Sequence, residues 1–116
     1  MELFDATVAL AALGQATRLS VFRLLVEAGH DGHTPGEIAD ALSLPGATLS
    51  FHLKELATAG LVQGEAQGRR IVYRANFDAM DGLVEFLTRN CCGGGAARCG
   101  PGTRKGARKA AGRGAC

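Results

Sequence analysis

The stretch TPGEIADALSLPGATLSFHLKELATAGLV, residues 34–62, contains two helix patterns separated by a short break. Thr34 suits an N-cap, Pro35 suits the first helical position, and Glu37 stands three residues after Thr34, which predicts a capping box at the start of a short helix. After the break around Pro45, the string ATLSFHLKELATAG has helical spacing and ends in glycine. Two short helices joined by a tight turn are typical of a helix-turn-helix motif.

The second helix of this motif has two different faces. Leu49, Leu53 and Leu56 fall on one stripe, which we expect to pack inward. The opposite side carries Ala47, Ser50, Phe51, Lys54 and Thr58. A solvated face would explain the polar residues but not Phe51, since an exposed aromatic side chain usually has a partner to cover it. The outer face is therefore a candidate binding surface.

Helices are also predicted on both sides of the motif. Apolar residues at helical spacing indicate a first helix that ends near Gly14 and a second that ends near Gly29. Asn76 is a suitable N-cap for a fifth helix, whose apolar stripe includes Phe77, Met80, Val84 and Leu87. This helix ends where the cysteines begin.

Between the motif and the fifth helix, LVQGEAQGRRIVYRA is typical of two β-strands. We predict strands from Leu61 to about Gln63 and from Arg69 to Arg74, joined through residues 64–68. Arg69 and Arg70 then lie at or near the tip of a basic hairpin. The element order α-α-α-α-β-β-α, mainly helical with one small hairpin, is the plan of a winged helix-turn-helix.

The charge of the chain is unevenly distributed. Residues 1–97 contain seven basic and eleven acidic side chains, a net charge of −4, whereas the residues from Arg98 onward contain six basic and no acidic ones. We therefore divide the chain into a domain, residues 1–90, and a flexible tail rich in Gly, Arg and Lys, residues 91–116. Such a tail either binds phosphate backbones without specificity or only aids solubility.

No apolar run of eighteen residues and no basic leader is present, so a cytoplasmic protein without membrane contact is expected. Cys91, Cys92, Cys99 and Cys116, the four cysteines of the chain, all follow the predicted domain. They therefore cannot staple its core. In a reducing compartment, clustered thiols indicate metal or redox chemistry instead.

Three strings together resemble the ArsR family of bacterial metal-responsive repressors: ALGQATRLSVFRLL in the second helix, SFHLKELATAGLV in the recognition helix and following strand, and GRRIVYRA in the wing. The resemblance covers about residues 8–90. It implies a transcriptional repressor, not an enzyme, that forms a homodimer through its first and fifth helices and binds palindromic double-stranded operator DNA.

The resemblance also implies which residues contact DNA. The DNA-contacting positions of the family correspond here to Thr48, Ser50, Phe51 and His52. Helical spacing independently predicts that Lys54 is exposed on the same helix. Many members have arginine at the position of Phe51, so apolar contact with thymine methyl groups or backbone-dominated binding is expected here. His52 lies at the edge of the packed stripe and could equally be a hydrogen-bonded structural residue.

Two metal sites of the family are missing from this sequence. The arsenic sensors with a cysteine pair on the third helix have a string like ELCVCDL, where this chain has HTPGEIADAL. The zinc sensors use carboxylate and histidine ligands of the fifth helix, which here contains Asp78, Asp81 and Glu85 but no histidine.

The remaining candidate metal site is the segment NCCGGGAARCGPG, residues 90–102. Trivalent arsenic prefers three thiolates in a trigonal pyramid, and Cys91, Cys92 and Cys99 supply three, with glycines between them that permit a sharp return of the chain. Some ArsR-family arsenic sensors have a comparable arrangement just past the fifth helix. We therefore expect arsenite, or antimonite, to be the inducer that releases the repressor from DNA, with Cys116 dispensable.

Three other interpretations of the cysteines remain. Cys92 and Arg98 fit the C-x5-R phosphate loop of protein phosphatases, but the strand before and the helix after that this loop requires are not predicted here. A thiol-based redox sensor would use a disulfide among the same residues. A structural zinc clip would need a fourth ligand, for which only Cys116 or a distant histidine is available.

Overall fold

The computed structural model describes residues 1–94, so the predictions for Arg98, Cys99 and Cys116 lie outside the described residues. The elements are α1 (Leu3–Leu13), α2 (Ala16–Ala28), a 3-10 turn (Gly29–Asp31), α3 (Pro35–Leu42), α4 (Gly46–Thr58), β1 (Val62–Gln67), β2 (Arg70–Ala75), α5 (Phe77–Thr88) and a short turn (Cys91–Gly94). The predicted order of elements and the winged helix-turn-helix fold are confirmed. The described residues divide into two compact units, Met1–Leu83 and residues 84–94.

The start of α3 is fixed by the predicted capping box. The Thr34 hydroxyl accepts from the backbone N–H of Glu37 at 3.2 Å, and the Glu37 carboxylate accepts from the backbone N–H of Thr34 at 2.9 Å. Pro35 occupies the first turn. The backbone hydrogen bond from Thr34, and after it the side-chain hydrogen bond with His33, lowers the pKa of Glu37.

The core of the first unit lies between α2, α3, α4 and the start of the hairpin. Its fully buried side chains are Val21, Leu25, Ile38, Leu49, Leu56 and Leu61. The predicted inner stripe of α4 is confirmed, since Leu49, Leu53 and Leu56 are all buried. Full burial of each such side chain contributes about 1.5–3 kcal/mol, so this stripe holds α4 firmly on α2 and α3.

Helix α1 packs on this core through small residues. Its buried side chains are Ala6, Ala9 and Ala12, and they let the helix lie close to its neighbours. Three large apolar side chains of α1 are exposed, with Phe4 at 76% and Leu3 and Leu10 beside it in the same helix. No residue among 1–94 covers this apolar face of α1.

The hairpin is longer than predicted. Strand β1 extends to Gln67, so most of the segment that we interpreted as a connection is paired, and the turn consists of Gly68 and Arg69 only. Gly68 supplies a positive φ of 65° at the first turn position, as tight hairpins often require. The glycine-containing segment was wrongly interpreted as a loop because Gly64 has no strand propensity of its own.

Tyr73 explains how Gly64 is accommodated in a strand. The two residues are cross-strand partners, and a Cβ atom on Gly64 would lie 2.9 Å from the tyrosine ring. The ring therefore occupies the space that a side chain at residue 64 would fill. The backbone of Tyr73 also pairs with His33 at 2.8 and 3.0 Å, which ties the wing to the segment before α3.

Asn76 begins α5 as predicted. Its side-chain oxygen accepts from the backbone N–H of Ala79 at 3.2 Å, and its amide donates to the carbonyl of Gly60 at 3.0 Å. The same residue thus caps α5 and ties it to the turn after α4.

Within residues 1–94 no single helix has the length and apolarity to cross a membrane, although the bent pair Leu3–Leu13 and Ala16–Asp31 does so by length and composition alone.

Candidate nucleic-acid interface

The outer face of α4 is open to solvent. Thr48, Ser50, Phe51 and Lys54 are all exposed, whereas the leucines on the opposite side are buried. Phe51 is 53% exposed, which leaves much of its surface available to a partner. The structure therefore places four of the five α4 residues predicted to contact DNA on one accessible surface.

His52 lies elsewhere. It is only 7% exposed, and its Nδ1 accepts a hydrogen bond from Nε of Arg18 at 3.3 Å. The geometry thus gives the ring a partner inside the protein, in line with the structural role that the sequence left open. A direct DNA contact by His52 stays a prediction.

Arg18 is a residue of this surface that the sequence analysis did not identify. Besides His52, its guanidinium donates through Nη1 to the carbonyl of Ala12 at 3.3 Å, and its Cζ lies 6.0 Å from the centroid of the Phe51 ring. Its backbone is fixed as well, since the N-cap residue Gln15 accepts from the N–H of Arg18 at 2.8 Å. Its only signal in the sequence is its place in the string ALGQATRLSVFRLL, which also contains Arg23.

The wing carries the two predicted arginines. Arg69 lies in the turn and Arg70 begins β2, and both side chains are exposed. Both arginines line a cleft beside the first turn of α3. The other residues that line this cleft are Thr34, Pro35, Glu37 and Ile71. Wing tip and helix-turn-helix are therefore neighbours within this unit.

The charges of the first unit fall into two groups. Arg23 pairs with Glu27 at 3.0 Å, and Arg74 pairs with Glu65, so these arginines are neutralised locally. No salt bridge within residues 1–94 involves Lys54, Arg69 or Arg70. These three cations are consequently available for phosphate groups.

The described cysteines follow the last turn of α5. The sulfur atoms of Cys91 and Cys92 are 3.6 Å apart, and Cys92 is exposed. The backbone is sharply turned here, because Asn90 and Cys92 have φ values of 59° and 56°. Cys91 is disulfide-bonded in the structure, so its thiolate exists only after reduction.

Two thiolate sulfurs that share one ion have a characteristic separation. Two sulfurs bound to one ion at about 2.3 Å, with a bond angle of roughly 95–110°, are about 3.4–3.8 Å apart. The Cys91 and Cys92 sulfurs are 3.6 Å apart, but Cys91 is in a disulfide, so this separation is not that of two thiolates. Residues 1–94 contain no group of three His, Cys, Asp or Glu side chains able to hold a metal ion, and the third predicted ligand, Cys99, lies outside the described residues.

Comparison with known proteins agrees with this fold. A family model described as a helix-turn-helix domain matches residues 13–65, from the end of α1 into β1. The HTH-type transcriptional repressor SmtB of Mycobacterium tuberculosis is 40% identical over 65 residues, which are 56% of this chain and 46% of SmtB. The chain thus spans about half the length of the curated relatives that it matches.

Solved structures cover more of the chain. An ArsR-like transcriptional regulator from Rhodococcus sp. RHA1 is 27% identical with a TM-score of 0.66, over 73% of this chain and 77% of the other. The homodimeric winged helix-turn-helix DNA-binding domain Mb0332 of Mycobacterium bovis is 26% identical with a TM-score of 0.62, over 76% of this chain and 82% of the other. These similarities extend over the elements that carry the candidate DNA surface.

Proposed function

We propose that this chain, an ArsR-family winged helix-turn-helix protein, is a DNA-binding transcriptional repressor that acts in the cytoplasm. One observation carries the proposal: α4 buries its leucine stripe completely while its opposite face presents polar groups and one phenyl ring to solvent. A helix held in this way can enter the major groove without leaving the core. The similar proteins named above are regulators, which favours a binding protein over an enzyme.

The side chains of the surface suit two kinds of DNA contact. The Ser50 hydroxyl can donate to or accept from base edges, and the Phe51 ring can pack on thymine methyl groups, so these residues would read sequence. Lys54, Arg69 and Arg70 would bind phosphates and fix the orientation of the domain. Thr48, near the start of α4, would contribute at the edge of the same surface.

A titration by fluorescence anisotropy separates the two kinds of contact. The probe is a duplex selected by the wild-type protein from a random-sequence library, and a shuffled duplex is the reference. Arg70→Ala should weaken binding to both duplexes equally and reduce the slope of log K against log[salt] by about 1. Phe51→Ala should mainly lower the ratio of the two affinities. Unchanged binding in both variants would contradict the proposed surface.

We further propose that the repressor is a homodimer. The exposed apolar face of α1 needs a cover, and the exposed Val84 and Leu87 give α5 an apolar surface as well. In the ArsR resemblance the first and fifth helices form the dimer interface, and Mb0332 is homodimeric. A dimer would present two copies of α4 to half-sites about one helical turn apart, roughly 34 Å.

The inducer that we propose is trivalent arsenic, as arsenite, bound by Cys91, Cys92 and Cys99. Thiolates are the soft ligands that this metalloid prefers, and Cys91 and Cys92 are adjacent in sequence, with sulfur atoms 3.6 Å apart. Only two residues separate Cys91 from the end of α5 at Thr88. Ligand binding here would therefore act on the end of a dimer helix.

Release from DNA requires the inducer to bind the DNA-incompetent state more tightly than the competent one. A coupling free energy of about 1–3 kcal/mol, usual for allosteric proteins, lowers operator affinity about 5- to 150-fold. This range is sufficient to switch a repressor whose operator is partly occupied.

Cysteine variants test the inducer site under reducing, anaerobic conditions. Cys91→Ser, Cys92→Ser and Cys99→Ser should each keep DNA binding and lose release by arsenite, because two thiolates hold the ion less well than three. Cys116→Ser is the matched control and should respond as the wild type. Release that needs Cys91 and Cys92 but survives Cys99→Ser would indicate a two-thiol site instead.

The disulfide at Cys91 favours a second candidate, a redox-sensing repressor. In that case peroxide would take two electrons and two protons from a pair of thiols, forming the disulfide and two water molecules. Release by peroxide without arsenite, reversed by dithiothreitol and lost in Cys91→Ser, would support this candidate. Arsenite release in the presence of reductant would support the first.

A further inference from the structure

Arg18 connects three elements of the first unit. It lies in the first turn of α2, its Nη1 binds the carbonyl of Ala12 near the end of α1, and its Nε binds His52 in α4. The sequence separations are 6 and 34 residues, so the second bond is a long-range tertiary contact. One side chain thus joins the end of α1 to the recognition helix.

The contact with His52 has a fixed direction. An arginine Nε always carries hydrogen and can only donate, so Nδ1 of His52 must be the acceptor and its proton must reside on Nε2. A doubly protonated imidazole could not accept this bond. The arrangement therefore requires the neutral Nε2–H form of His52.

The same guanidinium reaches the exposed surface. Its central carbon lies 6.0 Å from the centroid of the Phe51 ring, at the limit of a cation–π contact. The rings of Phe51 and His52 meet edge to face at a centroid distance of 5.4 Å. Arg18 and His52 therefore lie next to the Phe51 ring, while the residue stays 53% exposed.

We propose that Arg18 is a positioning residue for DNA recognition, which holds His52 and the Phe51 ring of α4 in the orientation that reads the operator. This inference rests on the proposed DNA-binding function. Arg18 acts here through Phe51 and makes no contact with DNA. Arg18 also bonds to the carbonyl of Ala12 at the end of α1. The orientation of the Phe51 ring therefore depends on how α1 and α4 are held together.

The variants Arg18→Ala and Arg18→Lys test this role. Arg18→Lys keeps the charge and the apolar stem but lacks the planar guanidinium that bonds in two directions. Both should lower the ratio of selected to shuffled duplex affinity by about three- to tenfold, the order expected for one or two lost hydrogen bonds. Arg23→Ala is the matched control, since Arg23 lies on the same helix, has the same charge and pairs with Glu27 on the surface.

A double-mutant cycle distinguishes positioning from direct contact. If Arg18 acts through Phe51, the double variant Arg18→Ala/Phe51→Ala should lose no more discrimination than Phe51→Ala alone. Fully additive losses of discrimination would show that the two residues act independently. An equal loss of affinity for both duplexes with a smaller salt slope would show a phosphate contact. Either result would overturn the proposal. A wild-type ratio in Arg18→Lys would overturn it too, because charge alone would then suffice.

A measurement without DNA separates this inference from the proposed function. Nitrogen-15 NMR of the free protein should show His52 as the Nε2–H form in the wild type and in Arg23→Ala, and Arg18→Ala should change the His52 nitrogen shifts and the Phe51 ring shifts. Unchanged shifts would overturn the positioning role even if DNA binding is established. A wild-type protein could also show the expected NMR shifts and yet bind the selected and shuffled duplexes equally. That result would contradict the DNA-binding function on which the positioning role depends.

Discussion

Helices α1 and α4 place their large apolar side chains on opposite sides. Helix α4 buries Leu53 and Leu56 and leaves mostly polar groups outside, whereas α1 buries three alanines and leaves Leu3 and Phe4 outside. A polar outer face with available cations suits DNA, while an apolar outer face suits another protein surface. The two helices differ in the size of their buried residues as well as in the polarity of their exposed face. Apolarity of the sequence alone does not show which kind of partner each outer face suits.

Replacing a phenylalanine with glutamate on the outer face of each helix tests this comparison with the largest expected effect. Phe4→Glu should dissociate the proposed dimer by about 10²- to 10⁴-fold, because a twofold interface loses two buried phenyl rings, each contributing about 1.5–3 kcal/mol. Phe51→Glu is the control and should leave the dimer intact. Sedimentation equilibrium measures both, and a Phe4→Glu protein as dimeric as the wild type would exclude α1 from the interface.

Truncation on the inner side of α4 should have the next largest effect. Leu56→Ala removes a fully buried side chain and should lower the free energy of unfolding by about 2–5 kcal/mol. Lys54→Ala, two residues away on the exposed side, should change it by less than about 0.5 kcal/mol. Urea unfolding followed by circular dichroism gives both values, and similar losses in the two variants would refute the division of α4 into faces.

Enlargement on the inner side of α1 sharpens the comparison from the opposite direction. Ala9→Leu inserts a large side chain where α1 packs closely, and it should destabilise the protein by about 1–3 kcal/mol. Ala57→Leu, at an exposed position of α4, provides the matched control. If the unfolding midpoints of the two variants coincide, α1 does not depend on small residues for its packing.

The smallest expected effect concerns α3, on which α4 rests. The pKa of Glu37 lies below its ordinary value of 4.5 in the folded protein, so its contribution to stability is present above that pH and is lost as the pH falls through the folded pKa. Glu37→Gln should therefore be less stable than the wild type at neutral pH, and the difference should vanish in acid. Unfolding midpoints between pH 7 and roughly pH 3 test this linkage. Asp40→Asn on the same helix is the control, and a difference that persists unchanged in acid would contradict it.

Local patterns were sufficient wherever the structure depends on residues close in sequence. The capping box of Thr34 and Glu37, the leucine stripe of α4 and the Asn76 cap were all predicted and are confirmed, because each is a contact within one turn or one helix face. The hairpin was predicted with wrong boundaries, because Gly64 is stabilised by a ring on the opposite strand.

The amino-acid sequence by itself determined the order of helices and strands, the inward and outward faces of α4 and the grouping of thiols after α5, since these follow from periodicity, capping chemistry and composition. Only the tertiary structure decided which side of α1 is covered, that His52 is buried, and that Arg18 links Ala12, His52 and Phe51. The physical reason is that these features depend on which surfaces meet when helices far apart in sequence pack together. No pattern within a single helix contains that information.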